Sequence, residues 1–246
     1  MKRLFDFIAS FLGLVCLSPV LLTFMYLVWK QDYHSPFYIA LRSGKHGRQF
    51  KMVKLRSMVI NADKSGVDST GNTDNRITKV GHLVRKFKLD EVTQLWNVLL
   101  GDMSLVGPRP NVKRETDLYT EEEKKLLLVK PGITDISSIV FSDEGEILSG
   151  KEDPDIAYHQ LIRPGKGYLG LFYIDNQSFF LDLKLLVLTI LAIISKDKAL
   201  QVLRGILEDL GANSELIHIA SRKRELVPSP PPGANNIVSS RDGIVT

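Results

Sequence analysis

Apolar residues run without a single charge from Phe7 to Trp29, and shorter apolar stretches return later at helical spacing. A run of about 20 such residues covers a ~30 Å hydrocarbon layer, so length alone predicts a membrane helix. Ser18-Pro19 falls near its middle. Pro19 cannot donate to the carbonyl of Val15, so a bend is expected there, with Ser18 placed to help satisfy the freed backbone groups. Each half would reach only ~16 Å. Both flanks are basic: Lys2 and Arg3 precede the run, and Lys30, Arg42, Lys45, Arg48, Lys51, Lys54 and Arg56 follow it. A spanning helix would strand positive charge on both sides, whereas a re-entrant helix over residues 1–30 keeps it all cytoplasmic. A cleaved signal peptide fits poorly, because the apolar run outlasts an h-region and no A-x-A-like site follows.

The pattern beyond the run predicts a small domain. KMVKLRSMV, within the mixed apolar and basic stretch Phe37–Val59, reads as a short strand or strand-to-helix transition. Asn61–Lys79 is rich in Gly, Ser, Asn and Asp and reads as a mobile loop able to close over a ligand. Val80–Lys88 is helical. Leu89, Val92, Leu95, Trp96, Leu99 and Leu100 then repeat at helical spacing up to Gly101, predicting one amphipathic helix. Thr120 to Glu123 shows a capping pattern, its acids read as a solvated face. Leu185–Ile194 is too short to cross a bilayer and reads as an interfacial or core helix. Ala199–Leu210 is amphipathic, for membrane or core, within one amphipathic C-terminal helix expected over 197–225. The Pro- and Gly-rich end, 226–246, reads as a disordered tail.

Composition narrows the partners without choosing one. The chain has 246 residues, 44% hydrophobic, with a formal net charge of +4. That balance suits anionic partners: phosphate-bearing substrates, lipid headgroups or nucleic acid. Cys16 is the single cysteine, so no intramolecular disulfide or cysteine-based zinc site is available. The five histidines show no metal-ligand spacing.

The chemistry concentrates in KLDEVTQLWNVLLGDMSLVGPRP, residues 88–110. Asp90 and Glu91 fall in a first helical turn, where free N–H groups favour an ionised carboxylate able to attack phosphorus or hold a metal. In Gly107-Pro108-Arg109-Pro110, the flanking prolines stiffen the backbone and aim one guanidinium. Singly, a first-turn acid is a helix charge and Pro-Arg-Pro a stiff loop. Together, within one short window after a membrane segment, they mark a site.

This stretch resembles the small monotopic polyprenyl-phosphate phosphoglycosyl transferases, the bacterial sugar transferases. The resemblance runs from about Lys2 to about Lys196. It implies transfer of a hexose 1-phosphate from a UDP-sugar to undecaprenyl phosphate with release of UMP, the first membrane step of glycan or polysaccharide synthesis. It further implies Asp90 as covalent nucleophile, Glu91 as its catalytic partner, Mg²⁺ as cofactor held at Asp90, and the cytoplasmic face of the bacterial inner membrane as location. Arg109, Arg85, Lys54, Arg56 and Arg76 form the implied substrate-binding set, anionic lipid being an equal reading for Lys54 and Arg56. A Ser-Pro pair breaks the family's membrane helix. Pro131-Gly132-Ile133-Thr134 matches a family element, but the chain departs from it at Asp135–Ile139, a segment expected near the sugar. Asp182 resembles a family position and reads equally as a helix N-terminal charge.

The expected fold is thus α/β and mostly helical: a re-entrant membrane helix, a small cytosolic catalytic domain over 31–196, and interfacial amphipathic helices. Partners are a UDP-sugar, undecaprenyl phosphate and anionic lipids, with no nucleic acid; homo-oligomerisation stays open. Two rivals remain at this point, a membrane-tethered helix-turn-helix protein that binds DNA and a noncatalytic membrane scaffold.

Overall fold

The computed structural model describes residues 1–62 and 74–240. Most of the stretch read as a closing loop, residues 63–73, lies outside the described residues, as do residues 241–246.

Helix α1 (Lys2–Asp32) takes in the whole charge-free run. It is followed by an antiparallel hairpin of β1 (Phe37–Ser43) and β2 (Gln49–Leu55), with Phe37 opposite Leu55 and Ser43 opposite Gln49. The pattern pointed to the second of these strands only. Helix α2 (Lys79–Lys86) starts where Thr78 Oγ1 accepts from the Gly81 amide at 2.9 Å. The single helix expected from Leu89 to Gly101 is two short pieces, α3 (Leu89–Val92) and α4 (Leu95–Leu100), joined through Thr93 and Gln94, which remain right-handed. Gly101 closes it at φ 95°.

A second, parallel pair, β3 (Ser104–Val106) and β4 (Gly132–Thr134), is separated by α5 (Lys113–Asp117) and a 3₁₀ segment over Glu123–Leu128. The remainder is helical: α6 (Ile136–Val140), α7 (Glu144–Ile147), α8 (Pro154–Ala157), α9 (Arg163–Asp175), α10 (Phe179–Ile194), α11 (Lys196–Asp209) and α12 (Ser214–Ser221). The main core gathers Val98, Met103, Ile136, Ile139, Leu169, Tyr173, Leu185, Leu203 and Leu207. The one helix expected over 197–225 is thus two, α11 and α12, and α11 packs on the core. The segment Asp135–Ile139, expected near the sugar, contributes buried Ile136, Ser137 and Ile139 to the core.

Several expectations are corrected by packing. The Ser-Pro pair does not split α1 in two: Ser18 Oγ donates at 2.7 Å to the Val15 carbonyl that Pro19 leaves unpaired, and Thr23 Oγ1 donates to the Pro19 carbonyl at 2.8 Å. Side-chain hydroxyls repair the helix on both sides of the proline. The capping pattern at Thr120 holds, with Thr120 N donating to Glu123 and Glu123 N donating to Thr120 Oγ1. Glu123, however, is 1% exposed and pairs with buried Arg163, so it is not part of a solvated face. The end of the chain is not loose through 240. Pro231, Pro232 and Val238 are buried, and Gln160 holds the strap at two points, its backbone carbonyl accepting from the Ser229 amide at 3.1 Å and its side-chain amide donating to the Val238 carbonyl at 2.8 Å.

Both ends of α1 are tied to the domain. At its start, Lys2 Nζ donates to Asp182 and to the Val106 carbonyl, Arg3 donates to the carbonyls of Val98 and Leu99, and Asp6 accepts from Ser104 Oγ and the Leu105 amide. At its end, buried Arg56 holds Asp32 with two nitrogens and also donates to the carbonyls of Val28, His34 and Ser35. Between them, Gly13 lets Leu95 approach, and Val28 packs with Leu55, Val84 and Leu89.

The hydrogen bonds from Arg56 hold the Asp32 carboxyl at about 2, below its ordinary 3.8. A depressed acid stabilises the fold above its unfolded value and loses that contribution as the pH falls through the folded one. The Asp32–Arg56 contribution should therefore be complete above pH 4 and fade toward pH 2. Thermal melting in detergent across that window should show the loss in the wild type, and the corresponding increment should be missing in Asp32→Asn.

Candidate active site

The site begins at the free edge of β2. Thr93 Oγ1 donates to the Val53 carbonyl at 3.0 Å, and Asn97 takes the Val53 amide at 2.9 Å while donating to the Lys51 carbonyl at 2.7 Å. Two side chains thus stand in for a neighbouring strand. This docks α3 against the strand and brings Lys54 Nζ to 3.9 Å from Asp90 Oδ2. Lys88, at φ 54°, turns the chain sharply just before the acids.

Arg109 arrives from the other side. Gly107 donates to the Thr134 carbonyl at 2.9 Å and Gly132 to the Pro108 carbonyl at 3.0 Å, so two motifs distant in sequence are laced together. The crossing is tight: a Cβ on Gly132 would lie 2.1 Å from Gly107 N, and one on Gly107 would lie 2.5 Å from the Lys130 carbonyl oxygen. From this crossing Arg109 Nη2 donates to Glu91 Oε1 at 2.9 Å. Asp90, Glu91, Lys54 and Arg109 therefore form one cluster of alternating charge.

Burial sets its electrostatics. Removal from water pushes the Asp90 carboxyl above its usual range, and the pull of Lys54, Arg109 and Lys88 only partly offsets that and the repulsion of Glu91. For Glu91 burial acts the same way, yet Arg109, Lys88 and Lys54 outweigh it and hold the group down to about 2. Burial lowers Lys54 to about 8, with Arg109 adding to the shift. The expectation that a helix N-terminus keeps Asp90 ionised is thus revised: α3 is a single turn of four residues, and side-chain cations supply the opposing charge.

Other expected residues stand elsewhere. Arg56 is saturated at the end of α1 and has a structural role in place of the expected substrate contact. Arg76 is held by Asp74 at 2.6 Å. Arg85, half-buried in the last turn of α2, acts on Asp74 through its charge. Asp182 is buried and accepts from Tyr173 at 2.7 Å as well as from Lys2, which makes it the anchor of the α1 start. The sequence reading missed Arg42, which shares the field of Arg109, and Glu144, which is paired with Lys166 and also acts on Arg109. Arg42 faced the site only through hairpin pairing, and Glu144 only through the packing of α7.

The Bacterial sugar transferase family model matches residues 1–196. An uncharacterized sugar transferase of Bacillus subtilis, EpsL, is 39% identical over 191 residues, 77% of this chain and 85% of the relative. The undecaprenyl-phosphate galactose phosphotransferase of Salmonella typhimurium is 33% identical over 214 residues, and the UDP-glucose:undecaprenyl-phosphate glucose-1-phosphate transferase of Klebsiella pneumoniae 35% over 193. These cover 81% and 77% of this chain but 41% and 39% of the relatives, so the chain spans about two fifths of their length. The chain belongs to the bacterial sugar transferases, the polyprenyl-phosphate phosphoglycosyl transferase family, and its named relatives share the enzyme class of undecaprenyl-phosphate sugar-1-phosphate transferases.

Gly132→Ala should drive the Arg109 loop away from Glu91. We expect a loss of about 2–3 kcal/mol in stability from the backbone collision, read as a lower melting temperature, and a disproportionate fall in turnover. A variant with wild-type melting and activity would show that the crossing does not set Arg109.

Proposed function

We propose that this chain transfers a hexose 1-phosphate from a UDP-sugar to undecaprenyl phosphate, with release of UMP, at the cytoplasmic face of the inner membrane. The observation that carries the reading is the cluster of Asp90 and Glu91 with Lys54 and Arg109, lying in a chain of this family. Membership of the family sets aside the DNA-binding and scaffold readings.

In the proposed course, an Asp90 oxygen attacks the sugar-side phosphorus of the diphosphate. The phosphorus–oxygen bond to the nucleotide breaks and its electron pair leaves with UMP. The lipid phosphate oxygen then attacks the same phosphorus, and the Asp90 carboxylate departs with its electrons. A buried carboxylate can approach an anionic diphosphate only if its surroundings offset the repulsion, which is the role assigned to Lys54 and Arg109, with Arg42 adding to the field. Glu91 holds Arg109 in place. Mg²⁺ fits the donor set, since Asp90 and Glu91 offer adjacent hard oxygens. When bound, such an ion supplies charge neutralisation at the diphosphate.

The membrane arrangement rests on two observations. Leu4, Phe7, Ile8, Phe11 and Leu12 of α1 and Phe180, Val187, Ile190 and Ile194 of α10 are exposed apolar residues on helices joined by the edge-on contact of Phe5 with Phe179. Both ends of α1 are bound to the same domain. A continuous helix of ~46 Å, tied to one domain at both ends, keeps both its termini on that domain's side of the membrane.

Asp90→Asn should keep the fold and membrane association but release no UMP. Intact mass after UDP-sugar alone should show a sugar-phosphate adduct mapping to Asp90; an adduct elsewhere, or substantial turnover in the variant, would sink the covalent role. For topology, a cysteine inserted after Met1 and Gln31→Cys, each in a Cys16→Ser background, should resist an impermeant thiol reagent in intact cells and react after lysis. Labelling of the N-terminal site from outside would mean a true span.

A further inference from the structure

The cluster rests on a residue that its chemistry has not yet used. Gln94 is 2% exposed, and its Nε2 has no hydrogen-bond partner among the described residues. Leaving a buried amide donor unpaired is unfavourable, and native structures rarely do it without a reason. Its neighbours show how selective the omission is. Thr93 on one side uses its hydroxyl twice, on the carbonyls of Val53 and Asp90, and Asn97 one turn on uses both ends of its amide. Gln94 alone in this row holds a donor in reserve.

Position in the chain sets the donor beside the acids. Gln94 follows Asp90 by four residues and Glu91 by three, in backbone that stays right-handed through the turn between α3 and α4. Residues so spaced lie one above the other on a single face, and Gln–Asp pairs at this spacing hydrogen-bond readily. In the structure Glu91 is engaged by Arg109, while Asp90 leans toward Lys54 without a close hydrogen bond. Of the two carboxylates at this spacing, Asp90 is the one left without a close hydrogen bond.

We propose that Gln94 is the positioning residue for Asp90, donating to the carboxyl oxygen that does not attack. The inference rests on Asp90 as nucleophile. As the bond from one Asp90 oxygen to phosphorus forms and that to UMP breaks, the other oxygen becomes a neutral carbonyl acceptor. An amide hydrogen bond to that oxygen is kept through the step, orients the carboxyl plane and leaves the other oxygen free to attack.

The test uses the full chain in detergent with UDP-sugar, undecaprenyl phosphate and Mg²⁺. Gln94→Met keeps the volume and removes the orphan donor, so it should melt at or above the wild-type temperature. Its kcat should nonetheless fall about tenfold, roughly what one neutral hydrogen bond supplies, with KM for the UDP-sugar little changed. Gln94→Glu, which sets a second acceptor against the first, should be worse in kcat than Gln94→Met. The first-turnover burst of UMP with UDP-sugar alone should slow in both. Wild-type kcat and burst in Gln94→Met would overturn the proposal, as would a loss of kcat matched by a lower melting temperature. Failure of the Asp90 reading is distinct: the wild-type adduct would then map to another residue, whereas a wild-type rate of adduct formation on Asp90 in Gln94→Met would refute only the role of Gln94.

Discussion

The contact between Gly107 and Gly132 is the constraint on which the site depends. Two backbones cross there at a distance that leaves no room for a Cβ on either, and each glycine donates a hydrogen bond to the other strand's segment. The crossing fixes where Pro108 and Pro110 begin to stiffen the chain, and so where Arg109 emerges. Without it, the prolines would still make a rigid loop, but one aimed nowhere in particular. Arg109 meets Glu91 because a parallel pair of three-residue strands holds two remote motifs in register.

The apolar helix is built into the same frame. Lys2, Arg3 and Asp6 bind the end of α4, the start of β3 and the head of α10, which are the elements on either side of the acids and the arginine loop. Arg3 in particular caps the end of α4, donating to the Leu99 carbonyl and sharing the Val98 carbonyl with the Gly101 amide. At the far end, Asp32 and Arg56 close the helix onto the hairpin that carries Lys54. The apolar helix and the turn that carries the carboxylates are thus tied into one hydrogen-bonded frame, which fixes the height of the charged cluster relative to the apolar face.

Charge in the cluster is balanced by burial. Two neighbouring carboxylates out of water would not both stay ionised, and the three cations around them divide the task unequally. Arg109 bonds to Glu91 and holds it firmly ionised, while burial pushes Asp90, with a more distant Lys54, above the usual carboxylate range. The pair is thereby differentiated in charge state and partners, although the two residues are chemically alike and adjacent in the chain.

The sequence by itself determined what depends on local chemistry. The charge-free run, the acids at a helix start, the arginine between prolines and the capping pair at Thr120 were all legible, because each follows from spacing within a few residues. So was the family, through motifs contiguous in the chain. What long-range packing decides was not. Arg56 and Lys54 sit two residues apart on neighbouring positions, yet one is consumed by Asp32 and the other faces Asp90; only the path of α1 separates their roles. Glu123 looked solvated until Arg163 met it, and the proline-rich end looked loose until α9 and its neighbours formed a groove for it. Gln94 carried no signal at all, since an unpaired donor exists only relative to everything around it. Tertiary structure decided these because burial and partnership are properties of a residue's surroundings, and those surroundings come from distant parts of the chain.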